Sequence, residues 1–406
     1  MRSYTKIKKI IYLLDNLFCK RDYDRFGIEL LEANGFEVLV WDLTPIINPD
    51  IYNNIAVPDP IEYKGYNLFS KVSAIRNAIL NLGNDCFIII ISDYCPKLYP
   101  VLRSISRKKL PYCFELSGSC VPILSDYVKE TSEPAKEKVA LLQIIDKVKK
   151  INYKLLKKYI FRRIPYKLMR LRPADFIIAG AAKSNIYLYR VPSAKGTKIL
   201  NIHYYDYDNY VAEISKGNII DQATGVFLDQ YVPFHPENLL SGCSSEIKVE
   251  EYYPYLRKFF DYLEATFKVK IIIAAHPRAN YDNCSNYFGG RPVIRDKTCE
   301  LVGKAWFVLA HHSFSMNYAV LFNKPILILT TEEMQKSKHG TYINLMATIL
   351  GKTPIFIDRP YNIDWEKEIM VDNKKYNEYK QNHIKMEGTE ELPFWHVVAN
   401  YIKSNY

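Results

Sequence analysis

The chain has eight cysteines but no CxxC pair. This absence argues against a zinc ribbon and against a thioredoxin-like redox site. A chain of 406 residues with 48% apolar residues builds its own hydrophobic cores, so a disulfide scaffold is not needed either. We therefore expect reduced thiols in a cytoplasmic protein.

A long apolar run is also missing. The basic N-terminus is followed by a short apolar run, Ile10–Leu14, which ends at Asp15. That run is too short for a signal-peptide core and instead predicts a first β-strand. No stretch reaches the roughly 18 to 20 apolar residues that a membrane-spanning helix needs, so we expect a protein that does not cross a membrane.

The stretch 147–172 contains eleven basic residues and no acidic residue, in a chain of net charge +11. Apolar residues are interleaved with the basic ones. Such a basic amphipathic segment predicts peripheral contact with an anionic membrane. A solvated helix that packs its apolar side on its own domain is the simpler alternative. Nucleic acid is a third, but no recognised nucleic-acid motif is present, and we predict no such partner.

Apolar strands alternate with amphipathic helices along the whole chain, as in the helix predicted at Tyr23–Asn34 and the strand predicted at Cys86–Ile91. This alternation is typical of an α/β protein with parallel, doubly wound sheets. We predict two Rossmann-like domains, residues 1–215 and 216–406, separated by a cleft, with a basic helical segment at 136–172. The final helix, Phe394–Tyr401, is placed to cross back over the domain junction.

Two strand ends in the second half carry residues suited to an anion. His276, Pro277 and Arg278 follow the buried strand Val269–Ala274. Ligands of open α/β sheets bind at the carboxyl ends of the strands. A histidine there can donate to a phosphate oxygen or protonate a leaving group, and Arg278 adds a fixed positive charge. A purely structural turn is the alternative.

The second strand end reads His311-His312-Ser313-Phe314-Ser315 and precedes a predicted helix, Met316–Phe322. Two hydroxyl groups and the N–H groups of a helix start are suited to phosphate, although serines at such turns often act only as helix caps. The adjacent histidines have no carboxylate or cysteine at ligand spacing, so we predict no metal here.

The His-Pro turn, the serine turn and the Asn323-Lys324-Pro325 segment resemble the donor-binding domain of bacterial GT-B glycosyltransferases. Among these, they are most similar to transferases of CMP-activated acidic sugars, namely sialic acid, other nonulosonic acids and Kdo. The resemblance implies that His276 contacts the CMP phosphate and acts as the leaving-group acid. It also implies that Arg278, His312, Ser313 and Ser315 complete the nucleotide site.

The same resemblance implies a carboxylate that deprotonates the acceptor hydroxyl. We predict Asp229, which ends a strand of the second domain; Glu115, Asp15 and Asp206 are the alternatives. The literal DxD match, Asp206-Tyr207-Asp208, is not at a strand end. We therefore predict inverting transfer without a metal and without a cofactor other than the nucleotide sugar.

The expected function is the addition of an acidic sugar to a capsule or lipopolysaccharide acceptor, including a lipid-linked glycan, at the inner face of the bacterial inner membrane. One alternative is a CDP-glycerol-type polyol-phosphate transferase. Those enzymes normally carry a second histidine as base, and His203 is the one histidine in the first 210 residues. Another alternative is a non-catalytic, basic, membrane-associated scaffold.

Overall fold

A computed structural model describes most of the chain. The described residues are 6–57, 59–120, 153–184, 190–217, 221–234, 247–277, 279, 281, 286–359 and 361–406. They form two compact units. Apart from the gaps just given, unit 1 comprises 6–120, 153–205 and Lys385–Tyr406, and unit 2 comprises 206–384.

Unit 1 contains a seven-stranded parallel sheet of order β3-β2-β1-β4-β5-β6-β7. Its central strands are apolar on both faces, which is expected of a parallel sheet covered by helices on either side. The strands are β1 (Lys9–Leu14), β2 (Glu37–Asp42), β3 (Tyr66–Leu68), β4 (Cys86–Ile91), β5 (Tyr112–Leu116), β6 (Phe176–Ala179) and β7 (Lys198–Asn201). The helices are α1 (Lys20–Arg25), α2 (Ile28–Ala33), α3 (Thr44–Ile47), α4 (Pro49–Asn54), α5 (Val72–Asn81), α6 (Tyr99–Lys108), α7 (Tyr153–Phe161) and, at the C-terminus, α16 (Phe394–Asn405).

The C-terminal helix α16 belongs to unit 1 and covers one face of its sheet. Phe394 and Trp395 are buried with Tyr12 of β1, and the Tyr12 and Trp395 rings meet edge to face at 5.3 Å. The Trp395 indole N–H donates to the carbonyl of Arg25 at 2.7 Å. The predicted return of the last helix to the first domain is therefore confirmed.

Unit 2 contains a six-stranded parallel sheet of order β10-β9-β8-β11-β12-β13. The strands are β8 (Asp221–Leu228), β9 (Lys270–Ala274), β10 (Val293–Ile294), β11 (Ala305–Ala310), β12 (Ile326–Thr330) and β13 (Ile355–Phe356). The helices are α8 (Asp206–Ile214), α9 (Val249–Phe267), α10 (Thr298–Lys304), α11 (Met316–Leu321), α12 (Glu332–Lys336), α13 (Lys338–Leu350), α14 (Trp365–Ile369) and α15 (Asn373–Tyr379). A π-helical turn follows at Lys380–Ile384.

Two parallel, doubly wound sheets confirm the predicted fold class. The chain passes from unit 1 to unit 2 between Tyr205 and Asp206, earlier than the predicted boundary at 215/216. The difference arises because the polar stretch chosen as a linker follows helix α8, which packs on α10 and α11 of unit 2. Among the described residues, no helix is long and apolar enough to span a bilayer.

The described part of the basic segment exposes both apolar and basic side chains. In helix α7, Phe161 is buried; Lys158 of this helix and Arg162, which directly follows it, bind the Asp93 carboxylate. Exposed apolar and basic residues follow one another along the stretch 156–170, and we call them together the α7 surface. Its members are Leu156, Lys157, Tyr159, Ile160, Arg163, Ile164, Lys167, Leu168 and Arg170.

Candidate functional site

The order of strands in unit 2 identifies where a ligand would bind. The chain winds from β8 through β9 to β10 in one direction, and from β11 through β12 to β13 in the other. The reversal lies between β8 and β11, and crevices at the carboxyl ends of strands at such a switch point are the usual ligand sites of open α/β sheets. Asp229 and Gln230 follow β8, and His311 and His312 follow β11.

Asp229 is buried, with 4% of its surface exposed, and both its carboxylate oxygens accept hydrogen bonds. Oδ1 accepts from the backbone N–H of Tyr231 at 2.9 Å. Oδ2 accepts from the Tyr281 hydroxyl at 2.6 Å and from the backbone N–H of His276 at 3.2 Å. Burial raises the Asp229 pKa, and these donors oppose the rise. The carboxylate thus ties together the ends of β8 and β9.

His276 is partly exposed and lies at the end of β9, as predicted. Its backbone is fixed twice, because its N–H reaches Asp229 and its carbonyl accepts from the N–H of Ala279 at 2.9 Å. Arg278, predicted beside it, lies outside the described residues. The backbone is strained at the end of β8, because Tyr231, a non-glycine residue, has a φ of +51°.

Gln230 and His312 face each other across the switch point. The backbone N–H of His312 donates to Gln230 Oε1 at 2.9 Å, and Gln230 Nε2 lies 3.3 Å from His312 Nδ1. His312 Nε2 lies 2.9 Å from Nδ1 of His339, near the start of α13. Burial, followed by the neighbouring imidazoles of His339 and His311, lowers the His312 pKa to about 3. His312 is therefore neutral at physiological pH, and both ring nitrogens contact other side chains.

His311 is fully buried beneath the same edge. Its Nδ1 lies 2.8 Å from the carbonyl oxygen of Leu329 in β12, and its Nε2 lies 2.9 Å from the Tyr252 hydroxyl. A carbonyl only accepts, so Nδ1 carries the ring proton and Nε2 accepts from Tyr252. Burial lowers the His311 pKa to about 4. His311 is a neutral residue that fixes the end of β11 to β12 and α9.

Ser313 and Ser315 form the turn between β11 and helix α11. The Ser313 hydroxyl accepts the backbone N–H of Ser315 at 3.2 Å, and Ser313 is 9% exposed. Ser315 occupies the cap position of α11 without a side-chain capping bond. The structure therefore brings His312 and Ser313 together at β11, two strands from His276 at β9. At the usual strand spacing, this separation is roughly 10 Å.

The other predicted carboxylates occupy different places. In unit 1, Asp15 follows β1 at the switch point between β1 and β4, and it accepts the backbone N–H of Asp93 at 2.9 Å. Burial raises the Asp15 pKa. Glu115 lies in β5 and accepts the backbone N–H of Ser117 at 2.7 Å. In unit 2, Asp206 begins α8 and accepts from the Asn317 side chain at 2.9 Å.

A cavity of about 200 Å³ opens in unit 2 at the ends of β12 and β13. Its wall includes Tyr252, the partner of His311, together with Thr331, Glu333 and Asp358. Carboxylates on this wall favour hydroxyl or amino donors over anions. Within the described residues, no cluster of His, Cys, Asp and Glu is arranged to hold a metal ion, and metal-independent transfer stays a prediction.

Sequence reasoning missed Gln230, Tyr252, Tyr281 and His339. Their partners are distant in sequence: His312 follows Gln230 by 82 positions, and His311 follows Tyr252 by 59. A signal existed for Gln230 alone, because it follows Asp229 just beyond the end of a predicted strand.

No protein-family model matches the chain, and no curated protein matches it. Solved structures with a similar course of the chain include the following three. MnaA of S. aureus, solved with UDP, has 13% identity and a TM-score of 0.48 over 98% of this chain and 96% of that one. MurG of Acinetobacter baumannii has 7% identity and a TM-score of 0.46 over 98% and 99%. The UDP-GlcNAc 2-epimerase of Neisseria meningitidis, solved with UDP-GlcNAc, has 11% identity and a TM-score of 0.45 over 97% and 100%. At these values the similarity carries no argument about function.

Proposed function

We propose that the protein is an inverting glycosyltransferase that moves an acidic sugar from a CMP donor to a surface-polysaccharide or lipopolysaccharide acceptor. The observation that carries the proposal is the set of polar groups at the switch point of unit 2. His276 lies at the carboxyl end of β9, and His312 and Ser313 follow β11, on the other side of β8; this edge is where open α/β sheets bind nucleotides.

In the proposed reaction, the acceptor hydroxyl attacks the anomeric carbon and a new C–O bond forms. The bond from that carbon to the CMP phosphate oxygen breaks, and its electron pair stays on the phosphate. His276 donates a hydrogen bond or a proton to that oxygen, and Ser313 and Ser315 contact the phosphate. One phosphate carries little charge, so these neutral and weakly basic groups are adequate without a metal.

A carboxylate takes the proton of the acceptor hydroxyl. Asp229, the residue predicted from the sequence, is buried and already accepts hydrogen bonds from Tyr231, His276 and Tyr281. Asp15 stands at the other switch point with a raised pKa, which suits a general base. Both stay in the proposal, and Asp15→Asn and Asp229→Asn separate them. The true base loses transfer while CMP binding survives.

Nucleotide binding is the direct test of the proposal. Thermal unfolding is measured with CMP, CDP, UDP, GDP and ADP, for the wild type and for His276→Ala. A ligand at a hundred times its Kd stabilises the folded state by about 2.7 kcal/mol. We expect CMP alone to stabilise the wild type, and we expect the effect to be smaller in His276→Ala. Selectivity for CDP would replace the proposal with polyol-phosphate transfer. The absence of any nucleotide effect would favour the non-catalytic scaffold.

We also propose that the α7 surface rests on an anionic membrane near the acceptor. Leu168 is 76% exposed, and Tyr159 and Ile160 are each 55% exposed, with basic side chains between them. Exposed apolar side chains enter the headgroup region of the membrane. Each basic side chain near an anionic surface contributes about 1 kcal/mol to the binding free energy. The alternative, in which this apolar side packs on its own domain, accounts for Phe161 and not for these three residues.

Vesicle sedimentation tests the membrane contact. Binding to vesicles with anionic lipid is expected to exceed binding to neutral vesicles, and to fall in Ile160→Glu/Leu168→Glu. Leu80→Glu is the matched control, since Leu80 is an exposed leucine of unit 1 outside the α7 surface. Equal sedimentation of the double variant and the control would refute the contact.

A further inference from the structure

Helix α7 and the residues directly after it carry two kinds of basic side chain. Lys157 and Arg163 are exposed and belong to the α7 surface. Lys158 and Arg162 are only partly exposed, and both bind the Asp93 carboxylate. The backbone N–H of Arg162 donates to the Lys158 carbonyl at 3.0 Å, so these two side chains lie on one helical face. That face brings two cations onto one carboxylate of unit 1.

Asp93 lies at the switch point of unit 1, two positions after the end of β4. Its backbone N–H donates to Oδ2 of Asp15, which follows β1, at 2.9 Å. The same turn is held from the helix side. Arg162 Nε donates to the carbonyl of Tyr94 at 3.0 Å, and the rings of Tyr94 and Phe161 lie 4.9 Å apart. The turn after β4 therefore connects the basic face of α7 to the Asp15 carboxylate.

The groups around Asp15 act on its proton in opposite directions. Burial raises the Asp15 pKa most, and the Asp93 backbone N–H and the Ser92 hydroxyl oppose the rise. The charge of the Asp93 carboxylate raises the Asp15 pKa further, while the Lys158 ammonium group lowers it. The Cys95 thiol also lies close by, and burial raises its pKa, so it is neutral at pH 7. The state of Asp15 thus depends on how far cations neutralise Asp93.

We propose that Asp93 is a positioning residue for Asp15, and that Lys158 and Arg162 hold Asp93 in that role. The inference rests on the proposed function, with Asp15 as the group that takes the proton of the acceptor hydroxyl. The Asp93 backbone N–H orients the Asp15 carboxylate. Without the two cations, the Asp93 charge would disfavour the ionised form of Asp15, which the reaction needs. The basic segment therefore acts on the reaction through residues other than those of the α7 surface.

The first test is the pH titration of the Asp15 carboxyl carbon by ¹³C NMR without ligand, with the signal assigned by its absence in Asp15→Asn. In Lys158→Ala/Arg162→Ala the Asp93 charge is not neutralised, so the Asp15 pKa is expected to rise. In Asp93→Asn the two cations remain without an opposing carboxylate, so the Asp15 pKa is expected to fall. Ion pairs that only dock the helix would let water reach Asp15 in both variants and lower its pKa in both, and this result would overturn the inference.

Lys157→Ala/Arg163→Ala is the matched control, because it removes two positive charges from exposed positions of the same segment. The Asp15 titration is expected to stay as in the wild type. A shift as large as that in Lys158→Ala/Arg162→Ala would show that the overall charge of the segment acts on Asp15, and that the contact with Asp93 does not.

The second test is the release of CMP from CMP-sialic acid, with water as the acceptor, measured against pH together with the thermal shift caused by CMP. The pH of half-maximal rate on the acid side is expected to move up in Lys158→Ala/Arg162→Ala and down in Asp93→Asn. An acid side that stays in place in both variants would contradict the role of Asp93. A wild type that neither binds nor releases CMP would overturn the proposed function, whereas the ligand-free titration would still decide whether Asp93 and its cations control Asp15.

Discussion

His311 and His312 are adjacent histidines that the fold holds in the neutral state. Burial lowers both pKa values, His311 to about 4 and His312 to about 3. In the unfolded chain a histidine has a pKa of about 6.5. The native state therefore binds fewer protons than the unfolded state between these values, and acid destabilises the fold.

The expected result is a fall in the free energy of unfolding as the pH drops below about 6.5. For His311 alone, the fall between pH 7 and pH 5 is roughly 2 kcal/mol. Urea unfolding at both pH values measures it, and His311→Asn should show a smaller pH dependence. An identical dependence in the variant would mean that His311 is not the cause.

The Asp229 carboxylate accepts three hydrogen bonds through its two oxygens. An asparagine side chain has only one oxygen, so its NH₂ group would face the backbone N–H of Tyr231 or of His276, and two donors would oppose each other. Asp229→Asn is expected to lose about 1–3 kcal/mol of stability, measured by urea unfolding. Tyr281→Phe removes one donor and leaves the others paired, and it should cost less. Equal stability of Asp229→Asn and the wild type would show that the hydrogen bonds do not fix this turn.

For single residues, the sequence could show which side chains lie at strand ends, but it could not show which residues they contact. His276 and Ser313 were found because a polar residue after a buried strand is visible in one line of sequence. The engagement of both His312 ring nitrogens was not visible, because it depends on Gln230 and His339 in three dimensions. For the same reason, the sequence shows Asp229 at a strand end but not the hydrogen bonds that its carboxylate accepts.

Among the elements, the predicted helix Tyr23–Asn34 is two helices, α1 and α2, and the break is at Gly27. Gly27 has φ of +56°, a conformation that favours glycine. The close approach of Trp395 also requires it, since a Cβ atom at Gly27 would lie 2.4 Å from the indole ring. The sequence could not show the break, because its cause lies in the last helix of the chain.

Gly27→Ala is therefore expected to destabilise unit 1 by about 1–3 kcal/mol, from backbone strain and overpacking together. Thermal unfolding measures the effect. Gly35→Ala is the control, because it has a positive φ of +87° but open space around a Cβ atom. If both variants lose the same stability, the contact with Trp395 has no part in the effect.

Strands were predicted more closely than helices. Strand β4 has the predicted bounds Cys86–Ile91, because a run of apolar, β-branched residues marks a buried parallel strand. The short edge strands β3 and β13 were missed, since three and two residues leave too little pattern to read. Helix α8 was missed as well, because its polar, tyrosine-rich sequence resembles a linker.

For the whole molecule, the chain enters unit 2 at Asp206 and returns to unit 1 at Lys385. The sequence predicted two domains and the returning helix, but not that the returning segment completes the core of unit 1. Five residues of α16 are at most 3% exposed and lie in this core: Phe394, Trp395, Val398, Ala399 and Ile402.

Deletion of Lys385–Tyr406 is accordingly expected to unfold unit 1 and to leave unit 2 folded. Limited proteolysis followed by mass spectrometry would show loss of unit 1 peptides and survival of a fragment from unit 2. The point variant Lys403→Ala, at an exposed position of the same helix, should leave both units resistant. Resistance of unit 1 after the deletion would show that α16 is not part of its core.

The central claim is that the switch point of unit 2 binds a nucleotide phosphate. The most direct measurement is the ¹H–¹⁵N spectrum of histidine-labelled protein during titration with CMP. The account predicts that the imidazole signals of His276 and His312 shift with one shared Kd, while the buried His203 of unit 1 does not respond. CMP that shifts none of the signals of unit 2, or only that of His203, would contradict it.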